Sequence, residues 1–367
     1  MTTSPPVFTF GDEREREALA KIARARATPP RVRDERITMA HGAGGKASAT
    51  LVRGLIAPAL SSPALDVLDD AAVIDVNGSS LAVTTDSFVV RPLRFPGGSI
   101  GELAVNGTVN DLAMVGARPL AITLSLVLEE GLDVATLRGE IEAIARTSTA
   151  AGVFVAAGDT KVVERGHADG MYICTTGIGV RDQRAHLSPS SLQPGDRILV
   201  SGPIGRHGMA IMLARGEFEL DSEIVSDTRP LWPAADALLA LGSSLRCMRD
   251  ATRGGVATVL NELAAASNVT VVVDEKCVPV QPAVSGACEM LGIDPMYVAN
   301  EGTFVAVVAP TGADRAIELL CRVPGFELAA IIGEVTADAT GMVLVNTVFG
   351  GRRVMDLLVG DPLPRIC

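Results

Sequence analysis

The feature that most constrains this chain is a run of alternating strand-like and helix-like segments that occurs twice. From Ile37 onward, short apolar runs alternate with stretches of helical periodicity as far as residue 188. The stretch 188–195, SPSSLQPG, has the composition of a linker, and the alternation begins again after it. Such alternation is typical of α/β folds. The sequence therefore predicts two α/β domains, over residues 37–188 and 189–358.

The two ends of the chain do not continue this alternation. Residues 1–36 form a predicted extension with one weakly docked helix, which has capping-box spacing at Asp12 and Glu15 and is stopped by a proline pair. Residues 359–367, VGDPLPRIC, also contain two prolines and form a predicted flexible tail. The tail ends in the motif PRIC, whose last residue is Cys367.

Composition excludes several classes of function. A net charge of −11 and an aromatic content of 3% disfavour nucleic-acid binding, which needs phosphate contacts and base stacking. The six cysteines form no CxxC pair and do not cluster with histidines, which argues against a zinc site or a disulfide framework. No apolar run reaches the ~18–20 residues of a membrane span, and the N-terminus lacks a signal sequence. A cytoplasmic protein is expected.

Two lysines stand inside Gly- and Asp-rich motifs of a chain that has only four lysines among its 32 basic residues. Lys46 lies in the loop His41–Ser48, HGAGGKAS, and Lys161 follows Asp159 in GDTK. Gly-rich loops bind phosphate because their backbone N–H groups can approach it closely, although a merely flexible loop is the alternative. A compact ammonium suits phosphate binding and proton transfer. We therefore predict roles for both lysines.

Acidic and amide side chains recur at apolar positions of the first domain: Asp69, Asp70, Asp86, Asn106, Asn110, Asp111 and Asp159. Two carboxylates ~4 Å apart repel by about 4 kcal/mol at an effective dielectric constant near 20, so carboxylates brought together imply a cation. Hard oxygen ligands indicate Mg²⁺, and Mg²⁺ indicates nucleotide phosphates. The predicted metal ligands are Asp69, Asp70, Asp86, Asp111 and Asp159. The two asparagines are candidates for nucleotide binding, or they only satisfy backbone groups.

Two motifs of the second domain are candidates for the same site. The turn RDATRGG, residues 249–255, opens a predicted helix, and a helix N-terminus beside Arg and Gly favours anions. Asp250 and Arg253 are therefore candidate binding residues. Glu301 lies in ANEG directly before an apolar strand, where a turn carboxylate without a chemical role is the alternative.

Taken in order, a series of motifs over residues 37–367 resembles those of the HypE family of hydrogenase maturation proteins. They are HGAGGK, DDAAV, TTDSFVV, PGGSIGELAVNGTVNDLAMVGARP, GDTKVVERG, RDATRGG, ANEG and PRIC. The blocks of the first half are shared with aminoimidazole ribonucleotide synthetase, selenophosphate synthetase and thiamine monophosphate kinase. GDTKVVERG, the RD–TRGG turn and the terminal PRIC are typical of HypE-like proteins. The extension 1–36 and Ala251, where a proline is expected, depart from the pattern.

The resemblance implies a PurM-like two-domain α/β fold, with an N-terminal domain that dimerises and binds ATP. HypE-like proteins receive a carbamoyl group on the terminal thiol from the carbamoyltransferase HypF. They use ATP to dehydrate this S-carboxamide to a thiocyanate, which supplies cyanide to the iron of [NiFe]-hydrogenases through a HypC–HypD scaffold. By this resemblance Cys367 carries the substrate, and Glu301 and Lys161 are the candidate base and polarising cation.

Two other functions stay open at this point. A small-molecule ATP-dependent kinase or ligase of the same fold would not need a terminal cysteine. A non-catalytic thiol carrier would need the tail but not the aspartate cluster. The pKa of Cys367 is subject to opposing effects, because Arg365 lowers it and the adjacent terminal carboxylate raises it, so its net shift is not predicted.

Overall fold

The structure is a computed structural model that describes residues 17, 21, 30–216, 223–360 and 365–367. The helix predicted in the N-terminal extension lies outside these residues, apart from Glu17 and Lys21, which are both helical and exposed. The prolines of the predicted flexible tail also lie outside them. Among the described residues, no helix is long and apolar enough to cross a membrane.

Within the described ranges the α-helices are α1 (Lys46–Leu51), α2 (Ala57–Leu60), α3 (Ile100–Met114), α4 (Val134–Ala151), α5 (Arg206–Ala214), α6 (Trp232–Leu239), α7 (Gly255–Ser267), α8 (Pro282–Leu291) and α9 (Ala313–Cys321). The strands are β1 (Ala72–Val76), β2 (Ser79–Phe88), β3 (Arg94–Phe95), β4 (Gly98–Ser99), β5 (Ala117–Glu129), β6 (Phe154–Val163), β7 (Met171–Arg181), β8 (Arg197–Val200), β9 (Leu245–Asp250), β10 (Thr270–Asp274), β11 (Phe304–Val308), β12 (Ala330–Thr336), β13 (Val343–Asn346) and β14 (Arg352–Met355).

The first domain is built on a five-stranded sheet in the order β1-β2-β7-β5-β6. Its strands pair antiparallel except for β5 and β6, which are parallel and are joined through α4. A parallel pair needs such a crossover, and a helix is its usual form. Helix α3 packs against β2, β5 and β7, and α4 packs against α3. Both helices therefore lie on one side of the sheet.

Helix α3 is buried along nearly its whole length, because the sheet covers one side while β9 and α6 of the second domain contact it elsewhere. Its glycines permit this close packing. A Cβ atom on Gly101 would lie 2.6 Å from the Glu140 carbonyl oxygen, and one on Gly107 would lie 2.9 Å from Cζ of Phe88. The helix thus brings its polar residues into the boundary between the two domains.

The second domain is built on a seven-stranded mixed sheet in the order β14-β13-β10-β12-β8-β11-β9. Neighbouring strand residues alternate between two cores, as the period of two in a strand requires. Ile198 packs with α7 on one face, whereas Leu199 packs with α6 and α9 on the other. Two core faces explain why β8, β10 and β11 are continuous apolar runs. The observed α/β fold confirms the predicted fold class.

The side of the first sheet opposite α3 is exposed. Strand β6 is exposed over all but its last residue. On this side, the large apolar side chains with at least a third of their surface exposed are Ile74, Val76, Phe154, Ile178 and Val180. An apolar surface of this kind marks an interaction site in soluble proteins.

We expect Gly101→Ala to destabilise the protein, because the added Cβ would meet the backbone carbonyl of Glu140 on α4. The expected loss in free energy of unfolding is about 1–3 kcal/mol, the usual cost of overpacking. Urea denaturation measures it. The matched control is Gly286→Ala in α8, where nothing lies within 4 Å of the new atom. The control should be neutral or stabilising by at most about 1 kcal/mol, and equal stability of both variants would contradict the packing of α3 on α4.

Candidate functional site

The site is organised by contact between two Gly-rich motifs that are far apart in the sequence. Arg253 donates from Nη1 to the Gly42 carbonyl at 2.9 Å, and the Thr258 hydroxyl donates to the Gly44 carbonyl at 3.1 Å. Gly44 and Gly254 have φ of +72° and +77°, which only glycine adopts easily. A Cβ on Gly44 would also lie 2.6 Å from the Arg253 carbonyl oxygen. The loop of the first motif therefore lies directly on the turn of the second.

Lys46 opens α1 at the edge of this contact. Its backbone N–H donates to the Leu358 carbonyl at 2.8 Å, which ties the loop to the segment that leads into the tail. Lys46 is exposed to solvent. The predicted role of Lys46 in phosphate binding stays a prediction.

Asp69 and Asp70 face an arginine of β9. Nε of Arg249 lies 2.8 Å from Oδ1 of Asp70, and Nη1 lies 3.7 Å from Oδ1 of Asp69. The same guanidinium donates to Glu262 at 3.0 Å. Burial raises the pKa of both aspartates, with Arg249 opposing the shift. Oδ2 of Asp70 is buried without a hydrogen-bond partner, so this pair retains an open acceptor.

Asp86 and Asp111 come together where β2 meets α3. The Thr108 hydroxyl donates to Asp86 at 3.2 Å, and the Thr84 hydroxyl donates to Asp111 at 2.6 Å. Burial raises the pKa of both carboxyls, and Asp86 and Asp111 interact directly. In the protein without bound cations, the two groups therefore retain a proton to higher pH than an exposed aspartate does.

Cys367 is placed beside the acidic residues of the second domain. Burial raises the pKa of its thiol to about 12, and Arg253 opposes the shift while Glu301 and Asp250 add to it. Burial also raises the pKa of Asp250 to about 7 and that of Glu301 well above its usual range. Burial therefore has a larger effect on the pKa of Cys367 than the two opposing effects expected from Arg365 and the terminal carboxylate. The thiol, the candidate base and Arg253 share one polar environment.

The thiol borders a cavity of about 80 Å³. Its lining includes both Gly-rich motifs through Gly42, Ala43 and Gly254, and Tyr297 of the segment that precedes Glu301. Cys367 itself is 9% exposed. The last three residues, Arg365 to Cys367, are therefore docked in the groove between the two motifs.

The two asparagines of α3 join the domains. Asn110 donates to the carbonyls of Arg229 and Glu301 at 3.0 and 3.3 Å and accepts from the Leu231 N–H at 2.7 Å. Its amide is fully engaged, so nucleotide binding would require it to exchange partners. Asn106 donates to the Thr228 hydroxyl at 3.2 Å, while its carbonyl oxygen is buried without a partner. Asn106 therefore offers an open acceptor.

Asp159 and Lys161 lie apart from this cluster. Strand pairing places Asp159 opposite Ser125, which pairs with Cys174, so all three side chains share one face of the sheet. Asp86 pairs with Thr175, the residue that follows Cys174 on β7. Its side chain therefore points to the other face of the sheet, beside α3. Lys161 Nζ lies 2.6 Å from Asp159 Oδ2, and this bond lowers the pKa of Asp159. A single chain does not bring this pair to Asp86.

The predicted magnesium ligands do not all converge in the single chain, since Asp159 lies on the other face of the sheet from Asp86. In the described part of the chain, no group of three or more His, Cys, Asp or Glu side chains is arranged to hold a metal ion. The donor chemistry nevertheless fits Mg²⁺, because the donors are carboxylates and one buried oxygen of Asp70 lacks a partner. Mg²⁺ commonly binds one or two carboxylates and completes its octahedron with phosphate oxygens and water. The full set of ligands stays a prediction.

The segment Ser226–Thr228 is a part of the site that was not predicted from the sequence. Asp227 accepts hydrogen bonds from the backbone N–H of Glu301 and of Gly302, both at 3.1 Å. Ser-Asp-Thr directly before Arg-Pro is typical of a turn, and no local pattern marks it as functional. His207 was not predicted either, because it stands alone in an apolar helix.

Comparison with known proteins places this geometry in a family. Models of AIR synthase related proteins match residues 68–181 as the N-terminal domain and residues 193–346 as the C-terminal domain. A carbamoyl dehydratase HypE of Rhizobium leguminosarum bv. viciae is 46% identical over 337 residues, which is 92% of this chain and 96% of the relative.

Two solved structures are similar over nearly their whole length. The structure of a HypE–HypF complex has a TM-score of 0.80 at 43% identity and covers 84% of this chain and 99% of its own. The structure of HypE in complex with ATP has a TM-score of 0.75 at 41% identity and covers 90% of this chain and 100% of its own.

The two-domain architecture and the acidic site at its junction define an AIR synthase related protein. Within that class, the chain belongs to the HypE family of carbamoyl dehydratases, the enzymes of hydrogenase maturation.

We expect Asp86→Asn to stabilise the protein without bound cations. The folded pKa of Asp86 lies above its unfolded value, so wild-type stability falls as pH rises from the unfolded pKa through the folded one. The amide removes this charge and can still accept from Thr108. Near pH 7.5 the free energy of unfolding should rise by on the order of 1 kcal/mol, and the gain should shrink near pH 5.

Chemical denaturation at the two pH values checks this, with exposed Glu142→Gln on α4 as the matched control. The control should change little at either pH. A gain for Asp86→Asn that is the same at both pH values, or a loss at the higher one, would contradict the electrostatic account.

Proposed function

We propose that this protein dehydrates an S-carboxamide on its own Cys367 to a thiocyanate at the expense of ATP, and so supplies cyanide for [NiFe]-hydrogenase iron. The observation that carries this proposal is the docked terminal thiol, which shares one buried environment with Glu301, Asp250 and Arg253. A similar protein of the family has been solved in complex with ATP. A chain terminus held in a buried acidic site is expected if the terminus is the substrate.

The chemistry follows from the poor leaving-group ability of an amide oxygen. The S-carboxamide oxygen attacks the γ-phosphorus of ATP as the bond to the β-phosphate oxygen breaks, which gives an O-phosphorylated intermediate and ADP. The nitrogen loses one proton at this stage. Loss of its second proton, with cleavage of the C–O bond, forms C≡N and releases phosphate. The protein-bound group thereby loses the elements of one water.

Glu301 is the proposed base for a proton on nitrogen. Its pKa is raised by burial and by neighbouring carboxylates, so its carboxylate form binds a proton more tightly than an ordinary glutamate does. The N–H of Glu301 is held by Asp227, which fixes its backbone. Arg253, which lies near both Cys367 and Glu301, is placed to stabilise negative charge that develops on the reacting group.

Nucleotide and metal are assigned to the surrounding motifs. We propose that Lys46, Arg253 and the Gly-rich loop bind the phosphates. Carboxylates among Asp69, Asp70, Asp86, Asp111, Asp159 and Asp250, with Asn106 and Asn110 nearby, hold Mg²⁺ and the nucleotide. Bound Mg²⁺ offsets phosphate charge during phosphoryl transfer. The division of the chain is proposed as 1–36, 37–188, 189–358 and 359–367.

The proposed partners follow the same reaction. HypF supplies the carbamoyl group, in line with the similar structure of a HypE–HypF complex, and a HypC–HypD scaffold receives the cyanide. We also propose a homodimer formed through the exposed side of the first sheet. That side carries exposed apolar residues such as Phe154 and Ile178 together with Asp159 and Lys161. A second copy seated there would receive Lys161 at its own site.

The first test is intact-mass measurement of carbamoylated protein before and after Mg–ATP is added. Wild type should lose the mass of one water. Glu301→Gln should accept the carbamoyl group but lose water at least about 100-fold more slowly, as for removal of a general base. Cys367→Ala should accept no carbamoyl group and still bind ATP. Glu142→Gln is the control for loss of a surface charge.

Two outcomes would overturn the proposal, and a third would overturn the role of Glu301 within it. Carbamoylated wild type that keeps its mass while ATP is present would leave a thiol carrier as the function. ATP turnover by Cys367→Ala on a free small molecule would indicate a kinase or ligase. Wild-type dehydration by Glu301→Gln would remove Glu301 as the base.

The second test concerns the partner's lysine. Lys161→Ala and Glu301→Ala should each be inactive alone. If Lys161 acts on the site of the other copy, a mixed dimer holds one complete site, with Glu301 from one copy and Lys161 from the other. Random mixing of the two proteins in equal amounts should then restore about a quarter of wild-type activity.

The control is a mixture of the Lys161→Ala variant with a double variant that carries both Lys161→Ala and Glu301→Ala. No dimer in this mixture contains a complete site. Native mass spectrometry confirms that copies exchange. Inactivity of exchanged mixed dimers would show that Lys161 does not act across the interface.

A further inference from the structure

The end of the tail is held by bonds from separate segments of the first domain. The Val89 N–H donates to the Cys367 carbonyl oxygen at 3.1 Å, and the Arg91 N–H donates to the Arg365 carbonyl at 3.3 Å. The Arg365 guanidinium also forms an ion pair with Asp169. These contacts fix the backbone of the residues on either side of Ile366.

Ile366 is bound by a histidine that the proposed reaction does not use. His207 on α5 is 0% exposed, and its Nε2 lies 2.6 Å from the Ile366 carbonyl oxygen. A carbonyl oxygen only accepts, so Nε2 carries a proton and donates it. The ring packs edge-on against Phe95 with 5.6 Å between centroids. Burial lowers the pKa of His207, which agrees with a neutral ring.

This tautomer fixes the direction of the next bonds. With its proton on Nε2, a neutral ring accepts at Nδ1, and the Ser226 hydroxyl lies 2.8 Å from that atom. Ser226 therefore donates to His207, and its oxygen accepts from the Thr228 N–H at 3.1 Å. A continuous chain of hydrogen bonds runs from Thr228 through Ser226 and His207 to the tail.

The residue between Ser226 and Thr228 holds the proposed base. Oδ1 of Asp227 accepts from the Glu301 N–H at 3.1 Å, and Oδ2 accepts from the Gly302 N–H at 3.1 Å and the Thr303 hydroxyl at 3.0 Å. A side chain at Gly302 would overlap the Asp227 carbonyl. The segment Ser226–Thr228 thus contacts the loop of Glu301 at close range.

We infer that His207 is a positioning residue for the loaded tail, and that the segment Ser226–Thr228 holds His207 and Glu301 in register with each other. The inference rests on the proposed function, since it concerns the same thiol and base. Ser226 supports the tail through His207, and the adjacent Asp227 supports the loop of the proposed base, Glu301. Reacting groups must be aligned to within a fraction of an ångström, and a shared support provides this alignment.

The bond between His207 and Ile366 is one of those that hold the docked tail. A tail that leaves to be carbamoylated must break the bond between His207 and Ile366 and form it again on return. Loss of the donor should therefore shift the tail toward the undocked state. Dehydration should become slower, whereas the thiol should become more accessible to reagents.

The test compares His207→Phe with His207→Gln in the full-length protein. Phenylalanine retains an aromatic ring but removes both nitrogens, whereas the glutamine amide can donate to the Ile366 carbonyl. His167→Gln on an exposed turn is the matched control. Four quantities are measured: the single-turnover rate of water loss, the rate of iodoacetamide alkylation at the Cys367 peptide, ATP affinity and melting temperature.

We expect His207→Phe to lose water about tenfold more slowly and to be alkylated at Cys367 about tenfold faster, as for loss of one buried hydrogen bond. ATP affinity should stay within about twofold, since His207 lies outside the proposed nucleotide motifs. His207→Gln should recover a large part of both changes, and His167→Gln should match wild type. If His207→Phe does not fold, Ser226→Ala, which retains the imidazole, should change both rates in the same directions.

Wild-type rates of water loss and alkylation in folded His207→Phe would overturn the inference. The inference would also be overturned if the rate of water loss, the ATP affinity and the melting temperature all fell while alkylation became no faster. That pattern is expected of a core residue that has no contact with the tail. Alkylation needs no catalytic turnover. Faster alkylation in the variant therefore supports the docking contact even if neither the wild type nor any variant loses water. A wild type that loses no water would count against the proposed function alone.

Discussion

The site depends on the burial of several carboxyl groups at the junction of the two domains. Burial raises the pKa of Asp69, Asp70, Asp86, Asp111, Asp250 and Glu301. Arg249 of β9 opposes the shifts at Asp69, Asp70 and Asp250. Arg253, in the turn that follows β9, opposes those at Asp86, Asp250 and Glu301. Isolated buried carboxylates would be strongly destabilising, so the cluster exists because guanidinium groups and shared protons compensate it. Under the proposed function, a bound cation would offset the repulsion among these carboxylates and so compensate part of the cost of burying them.

Close packing of backbone on backbone makes this junction possible. Gly44 and Gly254 bring the loop of the first domain onto the turn that carries Arg253, and Gly101 lets α4 lie against α3. Asn110 then bridges α3 to the loop of Glu301 and to the segment at Leu231. Each of these contacts is made by backbone groups or by a short, rigid side chain. The thiol, its candidate base and the arginine are consequently fixed by the fold rather than by long flexible side chains.

Much of the fold could be predicted because the alternation of strand-like and helix-like segments is visible in the local sequence, and the α/β architecture follows it. Strand β9 was not predicted, because Arg246 and Arg249 interrupt its apolar pattern; their charges are compensated by Asp196 and Asp70, which are distant in sequence. The same limit applies to the site. The family resemblance indicated Glu301 and Cys367, but the face on which Asp159 lies depends on strand register, which local sequence does not contain. Asp227 and His207 have no local signature, since their roles come only from what they contact.

The raised pKa of the docked thiol orders the steps of the proposed cycle. With a pKa of about 12, Cys367 is almost wholly a thiol at neutral pH, and the thiolate is the form that attacks a carbamoyl donor. Carbamoylation therefore belongs to the undocked tail, where burial no longer suppresses ionisation. The S-carboxamide has no ionisable thiol, so the buried acidic environment that disfavours the thiolate does not disfavour the loaded tail. Under the proposed function, the docked site disfavours a thiolate and accepts a neutral, carbamoylated sulfur. The same buried carboxyl groups would then keep the free thiol unreactive and would include the proposed base, Glu301.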